Sequence, residues 1–315
     1  MNGEAPGGSP GTPKAGSESV ELLQWALPRL SLAWPGFRRV RRQVCRRIGR
    51  RVEDLKLPDW EAYRLYLETH PEEWALLDSF CRIPISRFFR DRAVFDRLGT
   101  EVLPGLAQAA MTRRERRLRC WSAGCASGEE PYSLMILWKL ELARRFPDLS
   151  LAIVATDVDE KLLDRARAAQ YRASSLRELP SEWIDSAFAR SGGVFELRRE
   201  FREGIEFRCD DIRKKAPGGP FDLILCRNLA FTYFDAALQR ETAERMLRDL
   251  RPGGALVVGL RERLPEGTPG VAAWDSGLKI YKKLPHGDTA FPGSDPAIGT
   301  AAADDALEIG VERWS

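Results

Sequence analysis

Two glutamates stand at the start of a helix that follows a short apolar run and a glycine-containing turn. The segment 121–131 reads WSAGCASGEEP, and Gly124 and Gly128 let the backbone reverse sharply close to a ligand. Glu129 and Glu130 favour the positive end of the helix that follows. The turn lacks the G-x-G-x-x-G pattern, and two carboxylates would repel the pyrophosphate that such a pattern binds. We therefore expect a cationic ligand here, with one glutamate binding it and the other only complementing the helix dipole.

A third carboxylate ends another apolar run. Asp157 follows LAIVAT at 151–156, and an acid at the tip of a second strand can accept hydrogen bonds from both hydroxyls of a ribose. Helix capping is the alternative role. Asp159 is already placed to cap the helix at 160–170, which leaves Asp157 available. We therefore expect Asp157 to bind a ribose.

Two more loops carry polar side chains directly after apolar runs. One carboxylate of the adjacent pair Asp210-Asp211 can accept a hydrogen bond from an adenine amino group and Ile212 can cover the ring, although adjacent acids in a loop are commonly just solvated. Arg227 and Asn228 follow the buried run FDLILC, at the edge where ligands bind in open α/β sheets. Tyr233 is expected to line a channel for group transfer, whereas the phenylalanines beside it are expected in the core.

The elements that must position these side chains alternate between strand and helix. Short apolar runs occupy 118–124, 151–156, 205–209, 221–226, 255–260 and 278–283. Helical patterns fill 129–146, 159–170 and 235–250. This alternation predicts a mainly parallel sheet with helices on both faces. A simple loop joins the last two runs, so we expect that pair to be antiparallel.

Four segments are expected along the chain. Residues 1–18 and 286–315 are rich in small and turn-forming residues and are predicted to be disordered. Residues 19–84 are predicted to form a basic helical domain, and 85–285 a catalytic domain. Apolar residues recur at three and four positions within the basic domain, as on one helix face: Phe37, Val40, Val44, Ile48, Val52 and Leu55. The other faces carry eight arginines: Arg38, Arg39, Arg41, Arg42, Arg46, Arg47, Arg50 and Arg51.

Composition excludes several classes of protein. No apolar run approaches the ~20 residues of a spanning helix, and the first residues lack the apolar core of a signal peptide. We therefore expect a cytoplasmic protein without membrane insertion. The chain has two histidines, so neither a histidine base nor a metal site is expected. The net charge of +3 does not by itself indicate a nucleic-acid partner.

Four segments together resemble the CheR-type chemotaxis methyltransferases. They are FFRD (88–91), WSAGCASGEEPYSL (121–134), ATDVDEKLLDRARAAQY (155–171) and FDLILCRN...YFD (221–235). The resemblance extends over about residues 20–284. It implies a class I methyltransferase fold: α/β, doubly wound, with a mostly parallel seven-stranded sheet and a small N-terminal all-α domain.

The resemblance also implies a cofactor and its contacts. The cofactor is S-adenosylmethionine, whose sulfonium and ammonium suit the paired glutamates, and the product is S-adenosylhomocysteine. By the family's pattern Arg90 holds the methionine carboxylate, Glu130 its ammonium and Asp157 the ribose. The full set of cofactor-binding residues implied is Ser86, Arg90, Gly124, Glu130, Asp157, Asp211, Ile212, Arg227 and Asn228. Arg90, Asn228 and Tyr233 are the implied catalytic residues.

Three segments depart from the family's pattern. Pro84-Ile85-Ser86 stands where the family has Asn-x-Thr, and the segment after Asn228 is one residue longer. Gly259-Leu260-Arg261-Glu262 replaces a Gly-His-Ser-Glu. The region 192–204 resembles a small β subdomain that some members use to bind a receptor tail, but it is short and tail binding is not predicted.

The implied substrate is a glutamate side chain on an acidic helical protein such as a chemoreceptor signalling domain. A carboxylate has no proton to lose, which agrees with the scarcity of histidine. The arginine-rich helix suits such a substrate, because opposite charges steer association. A solvated basic surface is the plainer interpretation, and nucleic acid is not expected because no aromatic pattern accompanies the arginines. Two alternatives stay open: a relative retargeted to a small molecule or another protein, and a non-catalytic module that senses cofactor or binds a partner.

Overall fold

The computed structural model describes residues 16–285. The predicted disordered segments therefore fall largely outside the described residues, at 1–15 and 286–315. The first helix begins at Ser17, two residues inside the segment that was expected to be disordered. Within 16–285 no helix is both long enough and apolar enough to cross a membrane.

Helices account for most of the described residues outside the strands. They are α1 (Ser17–Ala26), α2 (Trp34–Phe37), α3 (Arg41–Asp54), α4 (Trp60–Thr69), α5 (Glu73–Phe80), α6 (Arg92–Arg97), α7 (Leu103–Thr112), α8 (Glu129–Leu137), α9 (Glu160–Ala168), α10 (Ala173–Leu176), α11 (Ser181–Ala187), α12 (Ala230–Tyr233) and α13 (Ala236–Asp249). Short 3₁₀ segments occur at Leu27–Leu30 and Arg199–Phe201. Single π-helical turns, at Leu98–Val102 and Trp138–Leu142, continue α6 and α8.

The strands form one large sheet and one small sheet. They are β1 (Arg117–Ala123), β2 (Ser150–Asp157), β3 (Gln170–Arg172), β4 (Phe188–Ser191), β5 (Val194–Leu197), β6 (Ile205–Cys209), β7 (Phe221–Cys226), β8 (Leu250–Val258), β9 (Val271–Asp275) and β10 (Ile280–Lys283). The large sheet has seven strands in the order β6-β2-β1-β7-β8-β10-β9, and the small one has the order β3-β5-β4.

The large sheet confirms the predicted α/β class. Its first five strands are mutually parallel, and β10 is antiparallel to both β8 and β9. The predicted antiparallel pairing of the last two apolar runs is thus correct. Strand β9 was not predicted, because VAAWD is a short edge strand whose side chains are half-buried or exposed and show no clear alternation.

The N-terminal helices share a core with one face of this sheet. In α3 the residues predicted for the inner face, Val44, Ile48 and Val52, are fully buried. They belong to the same apolar cluster as Ile224 of β7 and Leu256 of β8. The sheet's other face packs against α6, α7 and α8. The helical region is therefore built onto the catalytic sheet.

Helix α2 lies directly against α12, at the carboxyl edge of the parallel strands. The Ala33 N–H donates to the Tyr233 carbonyl at 2.8 Å, and the Asp235 N–H donates to the Ser31 carbonyl at 2.9 Å. A β-carbon added to Gly36 would overlap the carbonyl oxygen of Thr232. Only glycine therefore allows this approach of the two backbones.

Two glycine substitutions test this contact. We expect Gly36→Ala to force α2 away from α12 and to lower the free energy of unfolding by about 1–3 kcal/mol. Gly49→Ala in α3 is the matched control, because its new methyl group would meet Trp60 at an ordinary 3.7 Å. The control should raise stability by about 0.5–1 kcal/mol through helix propensity. Urea unfolding measures the free energy of unfolding of both variants. If Gly36→Ala were as stable as Gly49→Ala, the close approach of α2 to α12 would be contradicted.

Candidate active site

One cavity brings together all ten residues that the sequence indicated. It lies at the carboxyl edge of the parallel strands and is lined by Ser86, Arg90, Gly124, Glu130, Asp157, Asp211, Ile212, Arg227, Asn228 and Tyr233. Parallel strands end on the same side of a sheet, so loops that are distant in sequence meet there. Residues of the N-terminal helices, among them Phe37 and Asp78, complete the wall.

A buried arginine links three segments of this cavity. The Arg227 side chain is only 2% exposed. Its Nη2 donates to the Arg90 carbonyl and to the Asp91 carboxylate, each at 2.7 Å, and its Nη1 donates to Glu130 at 3.2 Å. The guanidinium also lies over the Phe95 ring, 5.5 Å from its centroid. Although Arg227 lines the cavity, its charge is thus largely committed to the protein.

The two glutamates at the start of α8 point to different surroundings. Glu130 lines the cavity and accepts hydrogen bonds from Ser122 Oγ at 2.7 Å and from Arg227. Glu129 is 3% exposed and accepts from the Ser127 hydroxyl at 2.9 Å. Burial raises the pKa of Glu129, against the opposing effect of its hydrogen bonds. The structure therefore separates one cavity-facing carboxylate from one internal carboxylate, as the sequence suggested.

Two phenylalanines anchor the loop that carries Arg90. Phe88 is fully buried and Phe89 nearly so, with the Phe89 N–H donating to Ser133 Oγ at 2.9 Å. Arg90 follows directly, and its Nη1 donates to the Ile85 carbonyl at 2.6 Å. Burial lowers the pKa of Arg90. The anchored aromatic pair thus holds a partly desolvated cation at the cavity wall.

Asp157 already has hydrogen-bond partners in the protein, although the capping role of Asp159 led us to expect its carboxylate to be unused. Asp159 does cap α9, by accepting from the Lys161 N–H at 3.0 Å. Asp157 also accepts two backbone hydrogen bonds, from Ala126 at 2.9 Å and from Asp159 at 3.0 Å. A carboxylate has about four acceptor positions, so these bonds leave capacity for a diol. They also fix the orientation of the group.

The Asp211 carboxylate has a protein partner as well. It accepts from Arg213 Nε at 3.0 Å and from Arg213 Nη2 at 2.9 Å. Ile212 beside it is 7% exposed and belongs to the core shared with the N-terminal helices. Asp210, the other acid of the adjacent pair, also lines the cavity and pairs with Lys215 Nζ at 2.6 Å.

Sequence reasoning missed Glu262 as a site residue. Its buried carboxylate accepts from the backbone N–H groups of Asn228, Leu229 and Gly259, at 2.7, 3.0 and 2.6 Å, and from Thr232 Oγ1 at 2.6 Å. Burial raises its pKa, and these hydrogen bonds oppose that rise. The sequence comparison with the family pointed to the altered residues Leu260 and Arg261 in this segment. The structure shows that Glu262, which matches the family's pattern, holds the loop that begins at Asn228.

The loop held by Glu262 presents Asn228 and Tyr233 to the cavity. Asn228 has a left-handed backbone, with φ of +56°. Its side-chain Nδ2 is buried and has no hydrogen-bond partner among residues 16–285. Tyr233 packs on Phe37 with ring centroids 5.1 Å apart, and burial raises its pKa. An unpaired amide donor of this kind fits a ligand that brings an acceptor.

Comparison with known proteins identifies the family. The model of the family described as "CheR methyltransferase, SAM binding domain" matches residues 85–274 of this chain. This chain belongs to the CheR methyltransferase family. Its resemblance to that family, its S-adenosylmethionine cofactor and its reaction class, methyl transfer, are thus confirmed.

Three relatives show how far the similarity of this CheR methyltransferase extends. The chemotaxis protein methyltransferase of Salmonella typhimurium is 32% identical over 272 residues, which cover 79% of this chain and 90% of that protein. The one from Listeria innocua is 36% identical over 192 residues, covering 60% and 70%. An uncharacterized 104.1 kDa protein from Rhodobacter capsulatus is 35% identical over 260 residues, covering 81% of this chain but 26% of that protein. The chain therefore spans about a quarter of that last relative.

The pH dependence of cofactor binding tests Asp157. Burial raises its pKa above the ordinary value of 3.8, while the N–H groups of Asp159 and Ala126 oppose the shift. The ionised form accepts hydrogen bonds from a diol, so affinity for S-adenosylhomocysteine should be constant near neutral pH and should fall as the pH drops through this raised pKa. Asp157→Asn should bind about tenfold more weakly at neutral pH and lose this dependence.

Isothermal titration calorimetry between about pH 6.5 and about pH 4.5 measures this effect. The carboxylate and ammonium of the ligand keep their charges over that range, so they contribute no slope. An Asp157→Asn affinity equal to that of the wild type, or one that falls with pH just as the wild-type affinity does, would contradict the assignment.

Proposed function

We propose that this chain transfers a methyl group from S-adenosylmethionine to glutamate carboxylates of an acidic helical protein, such as the cytoplasmic signalling domain of a chemoreceptor. The observation that carries this proposal is that the arginine-rich segment begins directly after a residue of the cavity wall. Phe37 lines the cavity, and the exposed residues Arg38 and Arg39 follow it directly. The proposal places the protein in the cytoplasm with that substrate.

The cavity has the charges that a zwitterionic, positively charged nucleoside requires. Arg90 would bind the methionine carboxylate and Glu130 the ammonium, with Asn228 Nδ2 as a further donor. Asp157 would bind the ribose hydroxyls. Asp211 and Ile212 would contact the adenine, and Ser86, Gly124 and Arg227 would complete the binding site. The unpaired Asn228 amide and the convergence of these groups on one cavity support this placement.

The residues of the site would act by alignment and by exclusion of water. When bound, S-adenosylmethionine supplies a methyl carbon already activated by the positive sulfur. A glutamate nucleophile needs no base, and the groups near Arg90 and Tyr233 would orient it for in-line attack. Positioning of this kind can be worth an effective molarity of ~10⁵ M or more. The catalytic contribution of Arg90, Asn228 and Tyr233 would therefore be orientation of the reactants.

Six arginines form the surface that would dock the substrate. We call Arg38, Arg39, Arg41, Arg42, Arg46 and Arg50 the arginine face; all six are exposed and none has a carboxylate within 4 Å among the described residues. Within α3, Arg42, Arg46 and Arg50 recur every four residues and so share one side of the helix. Such a stripe complements an acidic helix and would speed its encounter with the enzyme.

Two of the eight arginines expected there are structural instead. Arg47 Nη1 donates to the carbonyls of Phe80 and Arg82, at 2.8 and 2.6 Å, at the end of α5. Arg51 forms a bidentate pair with Glu73, at 2.9 and 2.8 Å. Both are directed inward because their positions on the helix face α5. Part of the arginine-rich segment therefore stabilises the packing of α3 against α5.

A second acceptor class is suggested by the altered segment at the cavity wall. Pro84, Ile85 and Ser86 line the cavity, and Ile85 is 57% exposed. An apolar side chain at this position would contact the acceptor, and it would suit a smaller or less polar molecule. The two candidates share the cofactor site and differ only in the methyl acceptor.

Methylation of a chemoreceptor fragment tests the proposal. Purified protein with methyl-labelled cofactor should form base-labile methyl esters on a chemoreceptor cytoplasmic fragment. Changing Arg42, Arg46 and Arg50 together to Glu should raise the KM for that fragment about tenfold or more and weaken its salt dependence. The kcat and the affinity for S-adenosylhomocysteine should stay close to wild type.

The matched control reverses the charge of three exposed arginines at the opposite edge of the sheet, where the parallel strands begin. Arg114, Arg116 and Arg144 lie near the amino ends of β1 and β2, away from the cavity. Changing all three to Glu alters the net charge equally and should leave KM unchanged. Equal effects of the two triple variants would contradict the arginine face. Label found in a small molecule instead of the fragment would support the second candidate.

A further inference from the structure

One arginine joins an N-terminal helix to the loop that follows β6. Arg213 Nη1 and Nη2 donate to the two carboxylate oxygens of Asp78, at 2.6 and 3.0 Å. Its Nε and Nη2 donate to Asp211, at 3.0 and 2.9 Å. Asp78 lies in α5, and Asp211 lies two residues beyond the end of β6. Two elements separated by more than 130 residues thus share one guanidinium.

This ion cluster lies on the cavity wall, where it is largely sheltered from solvent. Asp78, Asp211 and Arg213 all line the cavity, with side-chain exposures of 12%, 13% and 22%. Arg82 Nη2 also donates to Asp78, at 3.0 Å. Burial alone would lower the pKa of Arg213, but its bonds to Asp78 and Asp211 raise it above the ordinary value. The cluster is therefore held together by charge-assisted hydrogen bonds within the cavity wall.

The geometry requires a guanidinium. Arg213 presents one edge to Asp211 and another to Asp78, and a planar fork can bind two carboxylates at once in fixed orientations. A lysine ammonium is a point charge on a flexible stem and cannot hold both. The carbonyl of the neighbouring Ile212 accepts from Arg245 of α13, so the loop is held from two helices.

We propose that Arg213 is a positioning residue for the adenine of the cofactor, because it fixes the Asp211 carboxylate and couples that carboxylate to Asp78 of the N-terminal helices. This inference rests on the proposed placement of the adenine against Asp211 and Ile212. It makes the N-terminal helices part of the cofactor site in addition to carrying the arginine face. It also gives Asp78 a role in cofactor recognition from outside the catalytic sheet.

A fixed carboxylate at this position would set base specificity. Asp211 accepts from the exocyclic amino group of adenine, whereas a 6-keto base presents an oxygen there and would be repelled. A polar group rejects the wrong partner strongly only when it is held in place, because a mobile one turns away. Loss of Arg213 should therefore reduce discrimination as well as affinity.

The test compares S-adenosylhomocysteine with its deaminated, 6-keto analogue by calorimetry. The wild type should bind the amino form much more tightly. Arg213→Lys and Asp78→Asn should each raise the Kd for S-adenosylhomocysteine about tenfold, with little change for the analogue, so that the ratio of the two Kd values falls toward one. Asp78→Asn keeps the guanidinium and carries the test if Arg213→Lys does not fold.

The chain offers a matched control on the same helix. Arg51 and Glu73 form a bidentate pair of the same kind at the start of α5, and neither lines the cavity. Arg51→Lys and Glu73→Gln should lower the melting temperature yet leave both Kd values and their ratio unchanged. Controls that change the ratio equally, or an Arg213→Lys ratio like that of the wild type, would overturn the inference. Failure of the wild type to bind either nucleoside would instead refute the proposed cofactor site, and this inference with it.

Discussion

The buried Arg227 guanidinium is the charge around which the cavity is assembled. Placing an ion inside a protein costs several kcal/mol unless charged and polar partners surround it. Here the Arg90 carbonyl and the Asp91 carboxylate, both from the segment before α6, and Glu130 from the start of α8 supply those partners. The need to neutralise one cation thus draws the segment before α6 and the start of α8 to the end of β7. The Phe-Phe-Arg-Asp motif (88–91) and the Cys-Arg-Asn motif (226–228) therefore contact each other through Arg227.

Hydrogen bonds from the protein also hold other carboxylates at or beside the cavity wall. Asp157 is fixed by two backbone N–H groups, and Asp211 is fixed by Arg213. Glu262 uses its carboxylate to shape the loop that presents Asn228. These bonds cost nothing at the moment of ligand binding, because the orientation is set during folding. Such a site is preorganised, so little conformational freedom of its side chains is lost when a ligand binds.

The sequence predicted the fold and the location of the site more fully than it predicted the contacts. Strands β6 and β7 match the runs predicted at 205–209 and 221–226, since short apolar segments between turns leave little choice. The selected residues share one cavity because parallel strands end at one edge. The role of Glu262 could not be predicted, since its partners at Asn228 and Leu229 lie more than 30 residues away. Periodicity likewise could not show that Arg47 and Arg51 are directed inward, because that depends on where α5 packs. The domain boundaries at 84 and 285 and the individual roles of the site residues remain predictions.

A crystal structure of the complex with S-adenosylhomocysteine would test the account most directly. The account predicts the amino-acid carboxylate within about 3 Å of the Arg90 guanidinium, the ammonium beside Glu130 and both ribose hydroxyls on Asp157. The adenine should lie against Ile212. A nucleoside bound outside this cavity, or one whose ribose does not contact Asp157, would contradict the central claim that these carboxylates and Arg90 form one cofactor site.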